Sequence, residues 1–162
     1  MDLTFTQEQQ LLKQSAERYL QQQYSFADRQ RHGADPKGWD PKVWADFSQF
    51  GWLALPFGTD LDGMGAGAIE LAILGQAFGG ALVVEPYLPA IVLAGFLLEQ
   101  SIKPSQNEPR LAGPGADRTA VLIAGLIGGK TVVALAHDEA AARVAAAPIR
   151  TVATRTDDTW VL

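Results

Sequence analysis

The sequence predicts a mainly α-helical protein: an N-terminal bundle of about five to six helices, then a short, incomplete β segment. Two observations carry that reading. Between residues 7 and 127, apolar side chains recur at spacings of three and four, the signature of helices with one buried face. After Gly128-Gly129 the pattern changes to short β-branched and alternating runs. Helices first and strands afterwards point to separate layers or domains, not to alternating units. The division falls at Gly128, giving a helical domain over 1–128 and the start of a β domain over 129–162.

Each element has its own local reason. Thr6 and Gln9 have capping-box spacing, so the first helix starts at Gln7. Leu12, Ala16, Tyr19 and Leu20 form its apolar stripe, while Glu8, Gln14, Glu17 and Arg18 take the wet side. Residues 27–38 are polar, with Gly33, Pro36 and Gly38, and read as a loop with a short helical turn. Asp40-Pro41 is an N-cap followed by proline at the first helical position. Val43, Phe47 and Phe50 then give that helix its inner face, and Gly51 suits its end.

From Ala66 to Phe78 the pattern is apolar nearly all round, which predicts a central helix covered on most sides and ended by Gly79-Gly80. A second buried helix is expected from Pro89 to about Gln100. Residues 101–116 are rich in Pro and Gly and read as a mobile surface loop. Helix resumes from Arg118 to Ile127. Beyond it, "KTVVALA" (130–136) reads as a strand, and 151–156 with 159–162 as a hairpin turning at Asp157-Asp158. Trp160 and Leu162 fall on one strand face, and a lone hairpin is marginal in water. The expectation is therefore a truncated β domain whose covering partners lie outside this chain.

Composition narrows the function classes. The chain of 162 residues is 48% hydrophobic and 19% charged, enough for a real core. Net charge is −5 and the 13 basic residues are scattered, which argues against a nucleic-acid partner. Cysteine is absent, which excludes disulfides, thiol catalysis and Cys-zinc sites. The most apolar stretch, Ala81 to Leu98, is interrupted by Glu85, Pro86 and Pro89 and is not a membrane span. "MDLTFTQEQQ" lacks the regions of a signal peptide, so a cytoplasmic location is expected.

No segment assembles obvious catalytic machinery. "GMGAGA" (63–68) has the spacing of a dinucleotide loop, but polar "PFGTDLD" precedes it where a buried strand is required. It reads better as a glycine loop joining two packed helices. His32 reads as a solvated loop residue. His137, in "ALAHDE", sits where strand ends carry chemistry, yet no second histidine is near enough in sequence for a metal site. Glu70 and Glu85 are the acids in the most apolar surroundings, with capping or solvent exposure the ordinary role for each.

The order of these pieces resembles the start of the acyl-CoA dehydrogenase family. The opening "LTFTQEQQLLKQSAERYL" is similar to its first helix, and "VWADFSQFGWLALPFGTDLDGMG" to its helix, Gly-Trp-Leu, proline and glycine turn. "LAILGQAFGGALVVEPYLPAIVLAG" resembles its buried helix pair, "GKTVVALAHDE" the first strand of its middle β domain, and "TRTDDTWVL" a hairpin there. The resemblance implies FAD-dependent oxidation of an acyl-CoA thioester to the 2,3-enoyl-CoA, with the hard chemistry supplied by the flavin. It also implies that the catalytic base lies in a C-terminal domain outside this chain, so no catalytic residue is assigned here and the chain alone is expected to be inactive.

Residue by residue, the family's Ala-Leu-Thr-Glu-Pro loop beside the flavin matches "ALAHDE". The resemblance thus makes Leu135, Ala136 and His137 the cofactor neighbours. Ala136 stands where the family has threonine, the usual Gly-Ser-Asp is missing from "EAAARVAAAP", and Pro56-Phe57 replaces Pro-Glu. Tyr87, Ile91 and Phe96 correspond to the wall of the acyl-chain tunnel, against ordinary core as the alternative. Two functions follow. One is a catalytic dehydrogenase subunit represented by its N-terminal part, with acyl-CoA as substrate and the rest of the chain as partner. The other is a non-catalytic helical subunit supporting an active partner in a homo- or hetero-oligomer.

Overall fold

A computed structural model describes residues 4–103, 114–137, 150–156 and 159–161. Among them lie six α-helices: α1 (Gln7–Gln23), α2 (Phe26–Ala34), α3 (Pro41–Gln49), α4 (Ala68–Ala81), α5 (Phe96–Ile102) and α6 (Pro114–Ile127). A π-helical run, Tyr87–Gly95, leads directly into α5. The capping box of α1 forms as its sequence dictates: Thr6 Oγ1 accepts from the Gln9 N–H, and the Gln9 side chain accepts from the Thr6 N–H. Asp40 caps α3 by accepting from the Lys42 N–H at 2.7 Å.

The core is an aromatic column. Trp44, Phe47, Trp52 and Phe57 are each 2% exposed or less. Phe47 stacks on Phe78 at 4.9 Å, and Phe78 meets the Tyr87 ring edge-on at 5.1 Å. α1 packs along α4, and Gln9 Nε2 donates to Glu70 Oε1 at 2.7 Å across their ends. The segment 54–66 folds onto itself through backbone bonds, Met64 N–H to Ala54 O and Ala66 N–H to Leu55 O. Glycine is compulsory at residue 63, where a Cβ would lie 2.1 Å from the Phe57 carbonyl oxygen. The "GMGAGA" stretch follows a 3₁₀ turn, Thr59–Leu61, and joins packed segments, as expected for a structural glycine loop.

Several sequence expectations need correction. Residues 27–38 are largely helix, because Ser25 and Asp28 form a second reciprocal cap ahead of α2. α4 passes through Gly79-Gly80 and ends only after Ala81. Leu82 there takes a left-handed φ of 55°, while the Leu82 and Val83 N–H groups bond the Gly79 and Phe78 carbonyls in a Schellman-type stop. α4 is also less covered than its composition suggests, since Ile73, Leu74 and Phe78 are buried but Ile69 is 54% exposed. Phe50 is half out rather than inside and lies flat on Trp52. The second buried helix begins at Tyr87, with Pro89 in the first turn, where no intrahelical N–H bond is lost.

α6 starts at Pro114, and Ser101 and Ile102 belong to α5, so both ends of the expected 101–116 loop are helical. Its middle, 104–113, lies outside the described residues. Thr131–His137 forms no strand. Its β-branched sequence favours extension, but a strand exists only through a paired neighbour. Thr154–Thr156 (β1) and Thr159–Val161 (β2) do form the antiparallel hairpin, Arg155 opposite Trp160. The Asp157-Asp158 turn, Leu162 and the facing of the Trp160 side chain lie outside the described residues. The architecture is therefore a helical bundle followed by an incomplete β segment.

Candidate functional site

A largely apolar groove of about 620 Å³ lies between α4 and the π-helical run. Its floor follows from sequence. Ala72, Gly75 and Gly79 recur on one face of α4 at helical spacing, and small side chains leave a trough. A Cβ added at Gly75 or Gly79 would meet nothing within 4 Å. Tyr87, Leu88 and Val92 form the opposite wall, and the link 82–85 also lines the groove. Tyr87 is fixed by its hydroxyl, which donates to the Trp52 carbonyl at 3.0 Å, and burial raises its phenol well above the usual range. Arg29 of α2 reaches the same groove, with Nε buried and lacking a hydrogen-bond partner.

Glu85, which lines the groove, also belongs to a buried polar cluster. Glu85 is 5% exposed. Its Oε2 accepts from the Tyr24 hydroxyl at 2.6 Å, and its Oε1 accepts from the Asp40 N–H at 3.3 Å. Tyr24 in turn accepts from the Val84 N–H at 3.0 Å. Burial, followed by this bond to the Glu85 carboxylate, raises the Tyr24 phenol. His32 is 4% exposed, with Nε2 3.3 Å from Asp40 Oδ2 and Nδ1 3.3 Å from Glu85 Oε1. The second approach is an ion-pair distance without hydrogen-bond alignment. One reading is thus overturned, since His32 is not a solvated loop residue; Glu85 does not face solvent, but it does meet a helix end, at the N–H of Asp40, the N-cap residue of α3. Glu70 does cap its own helix, accepting from the Gly67 N–H at 2.9 Å.

The residues singled out by sequence are scattered. Tyr87 lines the groove, Ile91 is fully buried in the core, and Phe96 is 56% exposed at the start of α5. Leu135, Ala136 and His137 lie exposed in the segment after α6, which is neither helix nor strand. That segment's origin is fixed: Gly129 has φ 65°, the Ser48 hydroxyl donates to the Ile127 carbonyl at 2.8 Å, and the Lys130 N–H bonds Gly125 O. Among Leu135, Ala136 and His137, Ala136 brings no hydroxyl, and the side-chain functional group is the His137 imidazole. Among the described residues no group of three or more His, Cys, Asp or Glu could hold a metal ion. Nor is any described helix long and apolar enough to cross a membrane.

Sequence reasoning missed the Tyr24–His32–Asp40–Glu85 cluster, whose members come from separate elements. The available signal was Ser25-x-x-Asp28, which marks a helix immediately after Tyr24.

The fold belongs to a recognisable class. It is similar to a chain of the "Tcur3481-Tcur3483 steroid ACAD G363A variant", with a TM-score of 0.75 and 19% identity over 94% of this chain. It is also similar to a chain of the ChsE4-ChsE5 complex from Mycobacterium tuberculosis, with a TM-score of 0.72 and 20% identity over 99% of this chain. The alignments span 38% and 39% of those chains. No curated protein sequence matches. Residues 6–93 match the family described as acyl-CoA dehydrogenase, N-terminal domain, and the chain belongs to that family.

Proposed function

We propose that this chain is a helical subunit component of a two-chain acyl-CoA dehydrogenase assembly, supplying part of an acyl-binding wall while a partner chain holds the flavin and the base. The groove carries this reading. It is apolar, floored by Ala72, Gly75 and Gly79, and bordered among the described residues by one carboxylate, Glu85. That carboxylate is occupied by Tyr24 and the Asp40 N–H, so it is not poised to remove a proton from a bound thioester. Leu135, Ala136 and His137 offer backbone and one imidazole to a partner's cofactor, without the family's hydroxyl. The two similar structures are both titled as pairs of proteins, one as a steroid enzyme, which supports a paired assembly and a bulky acyl group.

The purified chain is expected to be colourless and to leave a dye acceptor unreduced in the presence of acyl-CoA. Co-purification with a second dehydrogenase chain should give a yellow complex that turns over. Family membership itself also suits a catalytic subunit represented by its N-terminal part. A stoichiometric flavin absorption band in the purified chain, with dye reduction, would establish that reading instead.

A further inference from the structure

We propose, on the reading of the groove as an acyl-binding wall, that its occupant carries a carboxylate, which the Arg29 guanidinium receives while α4 and the π-helical run cover the hydrocarbon body. The groove's volume of about 620 Å³ falls within the range of small-molecule sites, on the order of 300–1,000 Å³, where a few polar groups orient an apolar body. Among the described residues that line it, Arg29 is the one base and Glu85 the one acid. Glu85 offers no oxygen to an occupant. Its side chain is 0% exposed, and its oxygens accept from the Tyr24 hydroxyl and the Asp40 N–H. The charge that an occupant meets is therefore that of Arg29.

The surroundings leave that charge without a counter-ion. Arg29 makes no ion pair among the described residues. Asp28, the acid beside it in sequence, is committed to Ser25 and Arg31. Arg29 Nε is buried with no hydrogen-bond partner, and the guanidinium lies 6.0 Å from the centroid of the Phe26 ring. The ring steadies the cation but does not neutralise it. A half-buried cation without a partner has given up part of its hydration, and an anion brought to it offsets that loss. A guanidinium presents its N–H groups in a planar fork matched to a carboxylate, whereas a purely hydrocarbon chain makes no use of it. Charge complementarity therefore selects, among apolar occupants, one with an acidic end. A fatty acid and an acyl group with a second carboxyl at its far end present that same chemistry.

The test uses the full chain at neutral pH, with cis-parinaric acid, a fluorescent long-chain fatty acid, and its methyl ester as probes below their micelle-forming concentrations. The acid is expected to bind about tenfold tighter than the ester. Arg29→Gln should weaken the acid about tenfold and leave the ester unchanged, and Arg29→Lys should recover part of the difference. Gly75→Leu should weaken both probes, because its side chain fills the trough that holds the hydrocarbon. Equal affinity of acid and ester in the unmutated chain overturns the carboxylate subsite, and so does a preference that survives Arg29→Gln. If both probes still weaken in Gly75→Leu, the groove keeps its acyl role and only the part given to Arg29 falls. Binding indifferent to Gly75→Leu removes both. Competition separates the two sources. If the mono-CoA thioester of hexadecanedioic acid displaces the probe better than palmitoyl-CoA, and Arg29→Gln erases that margin, the carboxylate is the far end of an acyl group. Equal displacement by the two thioesters, with the acid still preferred to its ester, assigns the subsite to a free fatty acid.

Discussion

Gly63 and Gly75 differ in what a methyl group would meet. At Gly63 the added carbon collides with the Phe57 carbonyl at 2.1 Å, and backbone cannot rotate away as a side chain can. Gly63→Ala is expected to lower stability by about 1–3 kcal/mol. At Gly75 the space is open and the residue is helical, so Gly75→Ala should raise stability by about 0.5–1 kcal/mol. Urea midpoints at unchanged slope distinguish the two signs. Tyr24 tests the buried cluster in the same way. Its hydroxyl serves both Glu85 and the Val84 N–H, so Tyr24→Phe strands a buried carboxylate and a backbone donor. A loss of about 1–3 kcal/mol is expected, and an unchanged midpoint would show that water or rearrangement replaces the hydroxyl.

α2 shows where a sequence is legible at the scale of an element and where it is not. α1 and α3 could be read because a cap and an apolar stripe coincide in each. α2, "FADRQRHGA", has the cap but almost no stripe, and His32 is its buried residue. Polar helices held by partners elsewhere in the chain defeat a periodicity test, since the reason for burial is 8 residues away at Asp40 and farther still at Glu85. The segment 131–137 fails in the opposite direction: its β-branched run is a correct local preference without a ladder. Asp28 makes the cap of α2 testable. Hydrogen bonds from the Ser25 hydroxyl and N–H, and then the Arg31 guanidinium, hold its carboxyl down at about 2 from 3.8. A depressed carboxyl stabilises the folded state above its unfolded value, and that contribution is lost as pH falls through about 2. Carboxyl carbon shifts should therefore place the Asp28 midpoint near 2, and Ser25→Ala should move it upward. A midpoint already near 3.8 would mean that the cap is not formed in solution.

At the scale of the whole molecule, α4 reconciles two demands that its sequence alone did not separate. Its buried side, Ile73, Leu74 and Phe78, packs the core, while Ala72, Gly75 and Gly79 keep an outer trough open toward Tyr87 and Val92. Composition showed a helix apolar all round; only the tertiary arrangement shows that one side faces a groove rather than another helix. Three glycines in that helix cost conformational entropy, and none within α4 is forced by a positive φ or a close contact. Stability alone would favour alanine at each. If the trough receives an acyl group, as proposed, its width and the helix's stability should respond differently to side-chain size. Gly75→Ala should gain stability and still bind a fluorescent long-chain acyl-CoA. Gly75→Leu should remain folded, since its side chain enters open space, yet weaken that probe about tenfold or more by filling the trough. Equal affinity in the wild type and in Gly75→Leu, with both proteins folded, would remove the groove from the acyl path and leave the glycines of α4 without a binding role.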